Sequence, residues 1–115
     1  MRKFAESYTA AWCSQDPAKV AAHFSPEGSL QVNDAPPAVG REAITAVAQS
    51  FMTAFPDLVV TMDSLDEANA IYHWTLTGGP VKISGYEQWT LDAQGLIMKS
   101  LGHFDEADYK RQLGQ

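Results

Sequence analysis

The chain has 115 residues, 45% of them hydrophobic and 19% charged, and a formal net charge of −6. That is the size and composition of one domain, 1–115, with a single core, and the acidic balance argues against nucleic acid or an anionic membrane as partner. Cys13 is the only cysteine, which excludes an intrachain disulfide. No apolar stretch follows Arg2 and Lys3, so neither a signal peptide nor a membrane span is expected, and the cytoplasm is the default location.

Phe4, Tyr8, Ala11 and Trp12 recur at helical spacing and predict a first helix with one apolar face. Asp16-Pro17 restarts the chain, since Asp caps a helix well and Pro suits its first position. Val20 and Phe24 form the expected buried side of that short second helix, which Ser25-Pro-Glu-Gly28 ends. A short strand is predicted over 29–33, then a turn-rich segment to Gly40. Ile44, Val47, Ala48, Phe51, Met52 and Phe55 keep a helical stripe until Pro56. Strands are predicted over 58–63, 70–77, 81–91 and 96–104, separated by Asp66-Glu-Ala-Asn69, Gly78-Gly79-Pro80 and Asp92-Ala-Gln-Gly95. Asp105 then caps a last helix, with Phe104 and Tyr109 placed for a hydrophobic staple. The order predicts an α+β fold: helices packed on one face of a curved, mainly antiparallel sheet.

The strand over 81–91 carries the most informative residue. Val81, Ile83, Gly85, Glu87, Trp89 and Leu91 share one face by two-residue alternation. Its only acid, Glu87, thus falls on the apolar side. An ionised carboxylate buried there is costly unless it is paired or takes up a proton. Glu87 is therefore part of a site, or is held by a structural partner such as Tyr8, Trp12 or His73.

Trp12-Cys-Ser-Gln-Asp16, Ala21-Ala-His-Phe-Ser-Pro-Glu-Gly28, Val39-Gly-Arg-Glu-Ala-Ile44, Phe51-Met-Thr-Ala-Phe-Pro-Asp-Leu58, His73-Trp-Thr-Leu-Thr-Gly78 and Gly102-His-Phe-Asp105 follow one another in an order that resembles the SnoaL-like branch of the nuclear transport factor 2-like superfamily. The resemblance implies a cone-shaped, cystatin-like fold in which the sheet wraps around a pocket closed by the N-terminal helices and the third helix. Ketosteroid isomerase, a member of that superfamily, pairs a tyrosine on the first helix with a protonated acid on a pocket strand. Those positions correspond to Tyr8 and Glu87. The isomerase's base position is Val32 here. The positions of the epoxide hydrolase triad hold His73, Thr75 and Gly102.

His73 is the remaining candidate base, because histidine titrates near neutral pH. Hydrophobic alternation would bury Tyr72, Trp74 and Leu76 and turn His73 outward. The resemblance turns His73 and Thr75 inward, and the expectation follows it. Trp12, Val32, Thr75, Gly85, Trp89, Gly102 and Phe104 are then expected to line the pocket. Tyr72, Trp74, Leu76, Tyr86 and Leu101 would form a convex patch and a homodimer interface. His23 reads as a partly exposed helix residue, His103 as an outward one, and Cys13 as unactivated. No His, Cys, Asp or Glu spacing suggests a metal, and no cofactor is expected.

The expected function is binding of an apolar carbonyl compound, with Tyr8 and Glu87 steadying an oxyanion and His73 moving a proton in isomerisation, aldol cyclisation or dehydration. The alternatives are a non-catalytic hydrophobic-ligand module and a dimerisation module.

Overall fold

The computed structural model describes residues 1–114. Helix α1 (Arg2–Cys13) buries Ala5, Tyr8, Ala11 and Trp12, the predicted face. Helix α2 (Pro17–Ala21) begins where Asp16 accepts a hydrogen bond from the Ala18 N–H at 3.1 Å and Pro17 takes the first helical position.

Strand β1 (Phe24–Val32) starts five residues earlier than the sequence suggests. Phe24 is fully buried as the first residue of this strand, not as part of α2. Pro26 lacks the N–H that a ladder needs, and the strand accommodates it by a register shift between Phe24 and Ser29. Strand β2 (Ala38–Val39) is a two-residue pairing within the turn-rich segment. Helix α3 (Arg41–Ala54) follows, with Ile44, Ala48 and Met52 buried. Strands β3 (Val59–Asp66), β4 (Ile71–Gly78), β5 (Val81–Leu91) and β6 (Ile97–Phe104) and helix α4 (Glu106–Gln112) complete the chain. Asp105 caps α4 by accepting from the Asp108 N–H, and Phe104 and Tyr109 pack ring to ring at 5.5 Å, which is the staple.

The six strands form one curved, unclosed sheet in the order β2-β1-β6-β5-β4-β3. All neighbours are antiparallel except β1 and β6. Helix α1 packs on α2 and β3, α3 packs on α2 and β1, and α4 lies against β5. The core lies between the helices and the concave face, where Tyr8, Phe24, Tyr72, Ile44 and Ile97 are fully buried. Each such side chain contributes roughly 1.5–3 kcal/mol by leaving water. Among the described residues, no helix is long and apolar enough to cross a membrane.

The register decides which side chains reach the core. Tyr72 lies opposite Glu87 on β4, and Gly102 lies opposite it on β6. Tyr72, Trp74 and Leu76 therefore share the concave face with Glu87, while His73 and Thr75 point away. This reverses the expectation drawn from the resemblance and agrees with simple hydrophobic alternation. Tyr72 and Leu76 are 1% and 5% exposed, so turning them outward would forfeit most of the burial β4 provides. The convex patch accordingly loses Tyr72, Trp74 and Leu76. Tyr86 and Leu101 remain exposed on the outer side.

Candidate functional site

Glu87 sits near the middle of β5 and is 7% exposed. Its Oε1 accepts three hydrogen bonds: from the Ser100 hydroxyl at 2.7 Å, the Tyr8 hydroxyl at 2.9 Å and the Trp89 indole N–H at 3.1 Å. Its Oε2 has only a longer contact, 3.2 Å, from the same Tyr8 hydroxyl. The sheet explains this grouping. Trp89 is two residues along β5 on the same face, and Ser100 is the cross-strand partner of Trp89 on β6. Tyr8 descends from α1, 79 residues away in sequence.

Burial pushes the Glu87 carboxyl above its ordinary range; the bonds from Ser100, Trp89 and Tyr8 pull it down without cancelling that effect. Burial, and then the neighbouring Glu87, push the Tyr8 hydroxyl well above the usual phenol range, so Tyr8 stays a donor. Tyr72 stacks on Trp89 with centroids 5.1 Å apart, and its hydroxyl bonds to Thr9.

Glu87 is also part of the wall of a cavity of about 60 Å³. Trp12, Leu30, Val32, Val47, Phe51, Val60, Tyr72, Trp74, Leu76, Ile83, Gly102, His103 and Phe104 form the rest. Leu30, Val32, Val47, Phe51 and Phe104 also border a larger groove between α3, residues 33–36 and α4. The lining carries no Lys or Arg, and Glu87 is its only carboxyl group.

Of the expected pocket residues, Trp12, Val32, Gly102 and Phe104 line this cavity together with Glu87. Tyr8 and Trp89 lie behind the carboxyl and bond to it. Gly85 shares their face without bordering the cavity; it lies between Trp74 and Phe104, its partners on the flanking strands. Those two rings meet at 6.0 Å across it. Thr75 is on the opposite side, bonded to Asp63 and Ser84. His73 is there too, its ring 6.1 Å from Tyr86, and the structure does not bring it to Glu87. Sequence reasoning missed Ser100 and Trp74. Alternation along β6 could have placed Ser100 on Glu87's face, but not within its reach.

His23 follows α2 in a turn and bonds to Ser7 and the Lys19 carbonyl. His103 alternates outward with its ring 5.6 Å from Tyr86. Among the described residues, no three His, Cys, Asp or Glu side chains gather as a metal site would require.

A family model for the SnoaL-like domain matches residues 5–99. The chain belongs to the SnoaL-like family. Several solved structures share this SnoaL-like chain's fold. A Catenulispora acidiphila protein with a ketosteroid isomerase-like fold, solved in complex with trimethylamine, superposes with a TM-score of 0.85 at 16% identity, covering 97% of this chain and 92% of that one. TsrD from Streptomyces laurentii gives 0.80 at 22% identity, covering 98% and 93%. SalBIII, an epoxide hydrolase/cyclase-like enzyme with a role in pyran ring formation in the polyether salinomycin, gives 0.79 at 16% identity, covering 93% and 92%. At these identities the likeness establishes the fold. No curated protein matches the sequence.

Proposed function

We propose that the cavity binds a small apolar molecule bearing a carbonyl oxygen, and that Glu87 meets this oxygen as a neutral acid. The observation that carries the reading is the unequal bonding of the two carboxyl oxygens. Oε1 is filled by three donors. Oε2 is left as the oxygen that can hold a proton and donate it. In a lining with no cationic side chain, the neutral form is the one that burial favours. Tyr8 acts in this reading as a positioning residue, because its hydroxyl is spent on Glu87. The trimethylamine held by the Catenulispora protein and the cyclase-like role of SalBIII agree with a fold that accepts small molecules.

The catalytic form of the reading is cofactor-free proton transfer in isomerisation, aldol cyclisation or dehydration. Glu87 would donate a hydrogen bond to the carbonyl oxygen as charge builds on it, and the carbon-bound proton would pass to a water molecule, since no second side chain of the lining is placed to take it. The non-catalytic form, a hydrophobic-ligand module, has a specific observation in its favour. The lining offers no base besides Glu87: the ring of its one histidine, His103, packs on Tyr86 at the outer face. A cytoplasmic homodimer through that outer face completes the proposal, now resting on Tyr86 and Leu101; sedimentation of a Tyr86→Lys protein as a monomer beside a dimeric parent would support it.

Glu87→Gln tests the central claim, since the amide is a neutral donor of the same shape. Calorimetric affinity for small ketones should stay within about threefold, less than the net value of one hydrogen bond, while any proton transfer is lost. A loss of affinity beyond about tenfold would show that binding requires the carboxylate, contrary to the proposal.

A further inference from the structure

We infer that Phe104 walls the Glu87 cavity off from the neighbouring groove, and so limits its occupant to an acyclic carbonyl compound of roughly three or four non-hydrogen atoms, the size of acetaldehyde or acetone. This rests on the binding function proposed above and narrows its substrate class. The cavity that Glu87 borders has a volume of about 60 Å³, and the groove between α3 and α4 has about 760 Å³. Phe104 borders both. Its ring packs edge to face on Trp74 at 6.0 Å, and Trp74 lines the cavity but not the groove. It packs likewise on Tyr109 at 5.5 Å, and Tyr109 lines the groove but not the cavity. The ring thus stands between a side chain of one void and a side chain of the other.

The backbone holds this wall in place. The Phe104 N–H donates to Asn33 Oδ1 at 2.9 Å. Gly85, its partner on β5, makes room for it: a Cβ at 85 would lie 3.0 Å from the Phe104 Cβ. The size limit follows from the volume. A dry cavity of about 150 Å³ takes one benzene ring, and a single water needs about 10–15 Å³. A space of about 60 Å³ therefore holds several atoms but no six-membered ring. The occupant's oxygen goes to Glu87, and the mainly apolar remainder of the lining suits methyl groups. A molecule this short cannot close a ring on itself, which takes aldol cyclisation out of the reactions proposed above.

The test follows ¹³C-labelled isoleucine methyl groups by NMR. Ile83 is the isoleucine of the cavity lining, and the groove lining has none, so the Ile83 signal, assigned by its loss in Ile83→Val, reports entry into the cavity. Acetone, at the millimolar concentrations that so small a ligand requires, should shift that signal to saturation in the parent protein, and cyclohexanone should not. Phe104→Ala merges the two voids and should bind cyclohexanone about tenfold or more tightly than the parent does, now with a shift at Ile83. If cyclohexanone shifts Ile83 in the parent, the size limit is wrong and the binding function stands. If acetone enters both proteins and cyclohexanone enters neither, Phe104 is not the partition and the inference fails. If neither ketone enters either protein, the binding function itself fails, and this inference with it. Should Phe104→Ala not fold, Phe104→Leu takes its place with diethyl ketone, which should enter the leucine protein and not the parent; exclusion from both overturns the partition.

Discussion

Replacing Ser100 by alanine removes the shortest hydrogen bond on Glu87, 2.7 Å to Oε1. Ser100 is fully buried, and Oε1 keeps Tyr8 and Trp89 as donors, so the change orphans no acceptor. The cost is then close to the net value of one bond. To a neutral carboxyl that value is about 0.5–1.5 kcal/mol; to a carboxylate it is about 1.5–3 kcal/mol. The size of the loss therefore reports the charge on Glu87. Urea unfolding of parent and Ser100→Ala proteins, at matched salt between about pH 5 and pH 7, measures it. The expected cost is about 1 kcal/mol at every pH in that range, with a melting temperature lowered by roughly 4 °C for a chain of this length. A cost above about 2 kcal/mol at neutral pH that shrinks on acidification would mean an ionised Glu87, and the neutral-donor account would fall.

Other expectations follow from the same geometry. Because burial raises the Glu87 pKa above its ordinary 4.5, the folded protein holds a proton that the unfolded chain releases. That stabilisation is complete below the unfolded value and is lost as pH rises through the folded one, so Glu87→Gln should flatten the decline of the urea midpoint in that window; parallel curves for the two proteins would refute this. A Gly85→Ala Cβ would press against the His103 carbonyl oxygen and lie 2.7 Å from Trp74 Cζ2, and overpacking of this kind costs about 1–3 kcal/mol. A Gly85→Ala protein as stable as its parent in urea would show that the strands give way more easily than the packing implies. His73→Ala should leave calorimetric affinity unchanged, since the side chain is on the outer face; a tenfold loss would return His73 to the pocket.

Much of the fold was legible because its signals are local. Asp16-Pro17 and Asp105 mark helix starts by their own chemistry, and the caps form as read. The start of β1 was not legible: a proline in that stretch signals a break, and only pairing with β6 lets a shifted register absorb it. The inward face of β4 was legible in Tyr72, Trp74 and Leu76. It was misassigned where distant resemblance outweighed alternation, and a one-residue slip exchanges every side chain between faces. The contact between Glu87 and Tyr8 was legible, the acid from its apolar strand and the tyrosine from resemblance. The bond from Ser100 and the packing of Trp74 on Phe104 were not, because they arise only once β4, β5 and β6 are in register.

The parallel pairing of β1 with β6 has a consequence for how the molecule forms. It joins the first long strand to the last, one pairing in from the β2 edge of the sheet. A nascent chain cannot make this seam until residues 97–104 have emerged, and pairings this distant in sequence slow folding. Glu87 meanwhile has β4 beside it, but not yet Ser100. It waits in water as an ordinary ionised carboxylate. On the neutral-acid reading proposed above, closing the seam and seating α1 withdraws the acid from solvent and takes up a proton. Refolding in weakly buffered dye at neutral pH should show proton uptake in phase with burial of the tryptophans, and the Glu87→Gln protein should fold with none.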